Sequence, residues 1–296
     1  MAPTRIEWTD ETWNPVTGCT KVSPGCDHCY AETMTRRFPD RGPFEQVQLH
    51  HDRVCQPMSW RKPRMIFTCS MGDLFHSDVP WTFIIAVFCT MAQTPWHTYQ
   101  ILTKRPGRMA HFAEHIWGET GYPWPPNVWA GTSVEQEWDG NRRLTARLDL
   151  LAKVPARVRF VSYEPALGAV DFTRYLVNPH DDDWIDGQGY GAILQWLIAG
   201  GESGPGDRPA HPDWFRTARD QCQAAGVPFF FKQWGEWHPI VTQQAVGDWK
   251  PVGADAALRR IHLWDDGEVS IKIGKKAAGA LLDGREWREF PQEGKV

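Results

Sequence analysis

Three things are missing from this 296-residue chain: a disulfide framework, a membrane-length apolar run and a strong basic charge. Each absence removes a class of function. Cysteine is odd in number, seven in all, which suits no complete set of disulfides and predicts a reducing, cytoplasmic setting. The longest apolar run, residues 81–92, falls well short of the roughly 20 residues that a bilayer span needs, so no membrane role is expected. The N-terminal MAPTRIEWTDETWNP has no basic start, apolar stretch or small-residue cleavage site, and no secretory signal is expected. A formal net charge of -4 argues against coating nucleic acid by bulk electrostatics, although a local basic groove is compatible with it. No internal repeat or low-complexity segment stands out.

Tryptophan, by contrast, is abundant at 17 residues. Core and rim packing is the first reading of so many large rings, and stacking surfaces for bases the second. The cysteines that matter are clustered. Cys19, Cys26 and Cys29 fall in TGCTKVSPGCDHCYAE, and three convergent thiolates suit a metal or cluster that takes three protein ligands and keeps one position open. Three readings follow: a 4Fe–4S cluster with one iron free; structural zinc with His28, Cys55 or Cys69 as fourth ligand; or unliganded thiols at a turn fixed by Gly18, Pro24 and Gly25. Cys89 and Cys222 sit in helix-like patterns and read as buried hydrophobes.

Along the chain, strands alternate with helices. YAETMTRRF reads as a short helix ended by Pro39, placing the cysteine loop at a helix N-terminus, which favours negative charge. Strands are expected at 64–70, 97–105, 127–135 and 157–165, then in AILQWLIAGG and VPFFFKQW. Helices are expected over 81–93, 106–116, 137–152 with Leu144, Leu148 and Leu151 on one face, and PDWFRTARDQCQAAG. This predicts an α/β fold, a partial TIM-like (β/α) barrel of about six or seven units over residues 1–239. A doubly wound open sheet has the same alternation. Residues 240–296 read as an accessory module with a β-hairpin around a DDG turn and a short helix. Its Lys272, Lys275 and Lys276 read as a solvated face or a contact with substrate or partner, and Asp181, Asp182 and Asp183 as a solvated acidic turn or a cation site.

Each strand ends in polar residues: Ser70 and Asp73, Thr103 and Lys104, Thr132 and Ser133, Ser162 and Glu164, Glu202 and Ser203, Lys232 and Gln233. In parallel barrels the site lies where those carboxyl ends converge.

CTKVSPGCDHCYA, the preceding TWNPVTG, LTKRP, SYEPALG and FFKQWGEW together resemble a phage-encoded, bacterially widespread radical-SAM-like family of uncharacterised function, over about Thr12 to Trp237. The resemblance implies a 4Fe–4S cluster on Cys19, Cys26 and Cys29, with S-adenosylmethionine (SAM) chelating the open iron. It also implies reductive cleavage to a 5′-deoxyadenosyl radical and an electron donor such as flavodoxin or ferredoxin. The first cysteine gap has six residues where radical SAM enzymes usually have three. His28 matches a position that is usually aromatic and near adenine. Gly72 and Asp73 of SMGD, after Ser70, match the turn that holds the methionyl amine; the literal Gly200–Glu202 comes after a late strand and is not transferred. Lys104, Thr132, Ser133 and Glu164 stand where they would meet the ribose or carboxylate, or make ordinary barrel-mouth hydrogen bonds. Arg36, Arg37, Arg61, Arg64, Lys104 and Arg105 offer a phosphate-facing surface. The expectation is an iron–sulfur, SAM-dependent radical enzyme acting on a nucleotide or nucleic acid. The alternative is a non-catalytic, zinc- or cluster-stabilised module that binds nucleic acid or protein.

Overall fold

Short runs of β-branched and aromatic residues build the centre of the molecule. A computed structural model describes residue 4 and residues 6–38, 42–176, 193–240 and 260–292. In it these runs form strands β1 (Glu11–Trp13), β2 (Met65–Thr68), β3 (Thr98–Thr103), β4 (Val128–Ser133), β5 (Arg159–Tyr163), β6 (Trp196–Gly200) and β7 (Phe229–Gln233). They lie side by side in chain order, every pair parallel. The sheet curls into a half-barrel, the partial TIM-like α/β architecture expected. Helices α1 (Tyr30–Arg36), α2 (Trp81–Gln93), α3 (Pro106–His111), α4 (Ala146–Leu151), α5 (Thr173–Leu176) and α6 (Pro212–Ala225) connect the strands.

Side chains alternate across a strand, and the alternation sorts the residues into two cores. Ile66, Ala130, Val161, Leu197, Phe229 and Phe231 join the large cluster under the helices. Their neighbours Phe67, Trp129, Phe160, Ile198 and Phe230 form a second cluster inside the half-barrel with Trp8 and Trp196. The inside is therefore aromatic along the lower strands, while Ser133, Ser162, Glu164 and Lys232 line a cavity at the strand ends. Close packing leaves no room for a side chain at Gly131, where a Cβ would run into the Phe160 ring. Gly131→Ala is expected to cost about 1–3 kcal/mol by overpacking, read as a lower denaturation midpoint; an unchanged midpoint would contradict this packing.

One local expectation is corrected, and one strand is added. The first strand, β1, was not anticipated. The helix expected over 137–152 is only α4, because Asp139 folds the chain back before it. The Asp139 carboxylate accepts the N–H groups of Asn141 (3.3 Å) and Arg142 (2.9 Å), and Trp138 bridges to Arg143, a side-chain bond that competes with helix. Leu144, Leu148 and Leu151 are buried as expected.

After β7, strands β8 (Trp237–Ile240), β9 (Ile261–Leu263) and β10 (Val269–Lys272) form an antiparallel sheet in the order β8-β10-β9, followed by α7 (Lys275–Ala278). The hairpin expected at the DDG turn is present. Ala278, Leu282 and Trp287 join the large cluster under the helices. The last described segment covers the free edge of β7: the Phe231 N–H donates to the Trp287 carbonyl (2.9 Å), and Arg288 crosses the seam to Glu7 (3.2 Å). A paired edge is closed to association with other strands. The Pro39 helix stop and Asp181, Asp182 and Asp183 lie outside the described residues. Among the described residues, no helix is long and apolar enough to cross a membrane.

Candidate functional site

Cys19, Cys26 and Cys29 open onto one cavity of about 460 Å³ at the carboxyl ends of the strands. The loop that carries them is built in steps. Gly18 takes a left-handed φ of 87°, and a Cβ there would meet the Gln46 carbonyl oxygen at 2.5 Å, so only glycine fits. The Gly18 N–H donates to Met71 (2.9 Å) and the Cys19 N–H to Phe44 (2.9 Å), and Gly18 forms a parallel bridge with Gly72. A short 3-10 turn, Pro24–Cys26, follows, and Cys29 caps α1, where its carbonyl accepts the Thr33 N–H and hydroxyl.

The six residues between Cys19 and Cys26 are tied down almost one by one. Arg105 donates to the Thr20 carbonyl (3.0 Å), the Thr20 hydroxyl (2.9 Å) and the Cys19 sulfur (3.4 Å). The His76 Nδ1 accepts the Asp78 N–H, which makes Nε2 the donor to the Thr20 hydroxyl at 2.8 Å. Arg142 donates to the Val22 carbonyl (2.7 Å), Ser23 to the Glu135 carboxylate (2.8 Å) and Arg208 to the Pro24 carbonyl (2.9 Å).

Two buried carboxylates organise these ties. Glu135 is fully buried between Lys104 and Arg147, the latter at 3.0 Å. Glu202 takes Arg208 at both oxygens (2.8 and 2.6 Å) and contacts the His28 Nδ1 (3.1 Å). Burial pushes both carboxyls up; for Glu135 the charges of Lys104 and Arg147 outweigh it, and for Glu202 the hydrogen bonds from Arg208 and His28 do, so both end below the ordinary 4.5. Groups depressed in this way contribute stability that is full above the ordinary carboxylate value and is lost as pH falls through the lowered one. The urea midpoint is expected to fall on acidification, and to fall less in Glu135→Gln; equal acid sensitivity in the two proteins would contradict the assignment.

Most of the residues picked from the sequence meet in this cavity. His28, Ser70, Gly72, Asp73, Lys104, Ser133 and Glu164 line it beside the three cysteines. Thr132 does not: it is buried with its hydroxyl on the Thr103 carbonyl (2.7 Å), because it points to the opposite face of β4 from Ser133. Asp73 is held by Thr103 (2.7 Å) and Arg105 (2.8 Å), and Glu164 by Lys232 (2.8 Å). Burial first, then the Asp73 charge, pushes the Cys19 thiol up to about 11, with Arg105 opposing. Of the cations expected to offer a phosphate-facing surface, Arg36 pairs with Glu32, Arg64 with Glu11, Lys104 with Glu135 and Arg105 with Asp73, while Arg37 and Arg61 are exposed. Trp8, Trp13, Trp129, Trp196 and Trp234 are core residues. Glu135, Arg147 and Arg208 were missed; Glu135 alone left a sequence signal, standing two residues beyond Ser133.

The donor set fits a cluster with three protein ligands. A tetrahedral zinc with Zn–S of about 2.3 Å needs sulfurs roughly 3.8 Å apart. Among the described residues, the one trio of His, Cys, Asp or Glu ligand atoms within 4.8 Å of one another is His211, Asp213 and Asp266, away from the thiols. Cluster ligands bind separate irons and need no such convergence. Of the candidate fourth zinc ligands, His28 lines the cavity with its Nδ1 on Glu202 and its Nε2 beside Gly206, Cys55 is exposed and outside the cavity, and Cys69 is buried in the wall, its thiol pushed up by burial.

Among solved structures, the chain is similar to a spore photoproduct lyase variant with bound AdoMet and dinucleoside spore photoproduct, at 10% identity and a TM-score of 0.42, covering 88% of this chain and 68% of that one. A second variant of spore photoproduct lyase aligns at 13% identity and a TM-score of 0.41, covering 90% and 69%. A comparison with curated proteins returns no match. A family model described as a protein of unknown function, DUF5131, matches residues 3–291, and the chain belongs to that family.

Proposed function

We propose that the protein is a radical-SAM-type enzyme in which Cys19, Cys26 and Cys29 hold a 4Fe–4S cluster and S-adenosylmethionine occupies the cavity beside it. One observation carries this reading. Three thiols from a single loop share a cavity at the carboxyl ends of a parallel half-barrel, and side chains from the loops after β2, β3, β4 and β6 fix the long first gap. That preorganisation supports the reading in spite of the departure from the usual spacing, because the longer loop is hydrogen-bonded to four strand-end loops. When bound, the cluster would supply one electron, replenished by a flavodoxin- or ferredoxin-class donor, to break the S–C5′ bond of SAM into methionine and a 5′-deoxyadenosyl radical.

The chain's own residues position and enclose. Arg105 holds Asp73 and the Cys19 sulfur in one arrangement, so the turn Ser70–Asp73 keeps its distance from the cysteines. In this reading that turn faces the methionyl amine, His28 the adenine, and Ser133, Lys104 and Glu164 the ribose and carboxylate. The aromatic floor of Trp8 and Phe67 excludes water from below. The substrate proposed is a nucleotide or nucleic acid.

Anaerobic reconstitution with iron and sulfide tests the cofactor. The expected product contains iron and sulfide in equal amounts and has the electron-paramagnetic signature of a reduced 4Fe–4S cluster. Stoichiometric zinc without that signature would remove the reading.

A further inference from the structure

Residues 260–292 do more than cover an edge. The helix α7 begins beside the cavity, and Lys275, its first residue, lines the cavity together with the three cysteines. Its backbone is fixed. Glu236 accepts the N–H groups of Ile273 (3.0 Å) and Gly274 (3.1 Å) at its carbonyl and that of Lys275 (3.3 Å) at its carboxylate. The other oxygen of the same carboxylate accepts the Gly204 N–H (3.3 Å), which ties α7 to the loop that carries Glu202. Three residues earlier, at the end of β10, Lys272 pairs with buried Asp207.

Charge pairing singles out the same residue. Of the lysine and arginine side chains that line the cavity, Lys104 is neutralised by Glu135, Arg105 by Asp73 and Lys232 by Glu164. The exposed Lys275 ammonium has no anionic partner among the described residues. An uncompensated cation at the rim of a cleft whose other charges cancel sets the sign of what the cleft attracts. A compact ammonium with three donors suits a phosphate oxygen.

We propose that α7 forms the substrate-side wall of the cavity and that Lys275 binds a phosphate of the substrate, a nucleotide or single nucleic-acid strand. This rests on the radical-SAM reading for the chemistry but on its own geometry for the contact. It gives the C-terminal residues a role in selecting substrate.

The test uses the full-length reconstituted protein and a fluorescein-labelled oligothymidylate at low salt, read by fluorescence anisotropy. Lys275→Glu is expected to weaken binding at least about tenfold, since it replaces an attraction by a repulsion. Lys275→Ala should lower the slope of log K against log salt by about 0.7, the loss of one contact to a single strand. Lys275→Arg should retain most of the affinity. Lys276→Glu, adjacent and exposed but not lining the cavity, should change it by less than about threefold. Equal binding by Lys275→Glu and the parent, equal loss in Lys276→Glu, or no binding by the parent overturns the proposal, as does equal competition by a polyglutamate peptide, which carries carboxylates in place of phosphates. The same samples, given SAM and dithionite without substrate, report 5′-deoxyadenosine. Its absence throughout, with Lys275-dependent binding intact, would overturn the radical-SAM reading alone.

Discussion

Replacing Cys26 by alanine is expected to leave a folded protein that has lost its iron and cleaves SAM more than about 100-fold more slowly. Losing a partner that merely orients a ligand costs about 10–100-fold in such sites, so losing a ligand itself must exceed that. Folding should be spared, because Cys26 is only half-buried and its side-chain contact with the Ser23 hydroxyl is long, at 3.9 Å. Cys222 supplies the contrast. It lies on the core-facing side of α6 and is fully buried, so Cys222→Ala should lower the melting temperature and leave iron content unchanged. Iron analysis and circular dichroism on the two variants separate a ligand from a core filler. Retention of full iron by Cys26→Ala would exclude it from the ligand set.

The second large effect belongs to Glu135. Its carboxylate is the shared anion for Lys104 and Arg147 and the acceptor for Ser23 of the cysteine loop. Glu135→Ala leaves two largely buried cations without their partner, and breaking a buried pair in this way costs about 3–5 kcal/mol. It also frees Ser23, three residues before Cys26. The expected result is a large fall in the denaturation midpoint of the apoprotein, together with faster loss of iron from the reconstituted one. A variant as stable as the parent would mean that the pair is not the anchor of the loop. Iron loss without destabilisation would assign Glu135 to the cofactor and not to the loop.

The sequence carried the parts of this molecule that repeat locally. Runs such as MIFT, TYQILT and FFFKQ are strands because their residue types suit a pleated surface, and Trp81–Gln93 is a helix with the expected ends. The cavity was legible for a related reason: polar residues closing successive parallel strands must share one mouth. What local pattern cannot carry is pairing across the chain. Ser23 meets Glu135 and Pro24 meets Arg208 across separations of 112 and 184 residues, and no periodicity encodes such contacts. Thr132 and Ser133 are equivalent as letters, but the pleat sends one into the wall and the other into the cavity. β1 was passed over because three residues, Glu11–Trp13, are too few to show alternation. The shortened α4 was readable in hindsight, since Asp139-Gly140-Asn141 is turn chemistry.

The cysteine loop is proposed to present a cluster that cleaves SAM, and 5′-deoxyadenosine is the most direct readout of that proposal. Reconstituted protein given SAM and dithionite under anaerobic conditions is expected to form 5′-deoxyadenosine and methionine in equal amounts, and Cys26→Ala none above background. A protein that carries a full complement of cluster and leaves SAM intact would contradict the account.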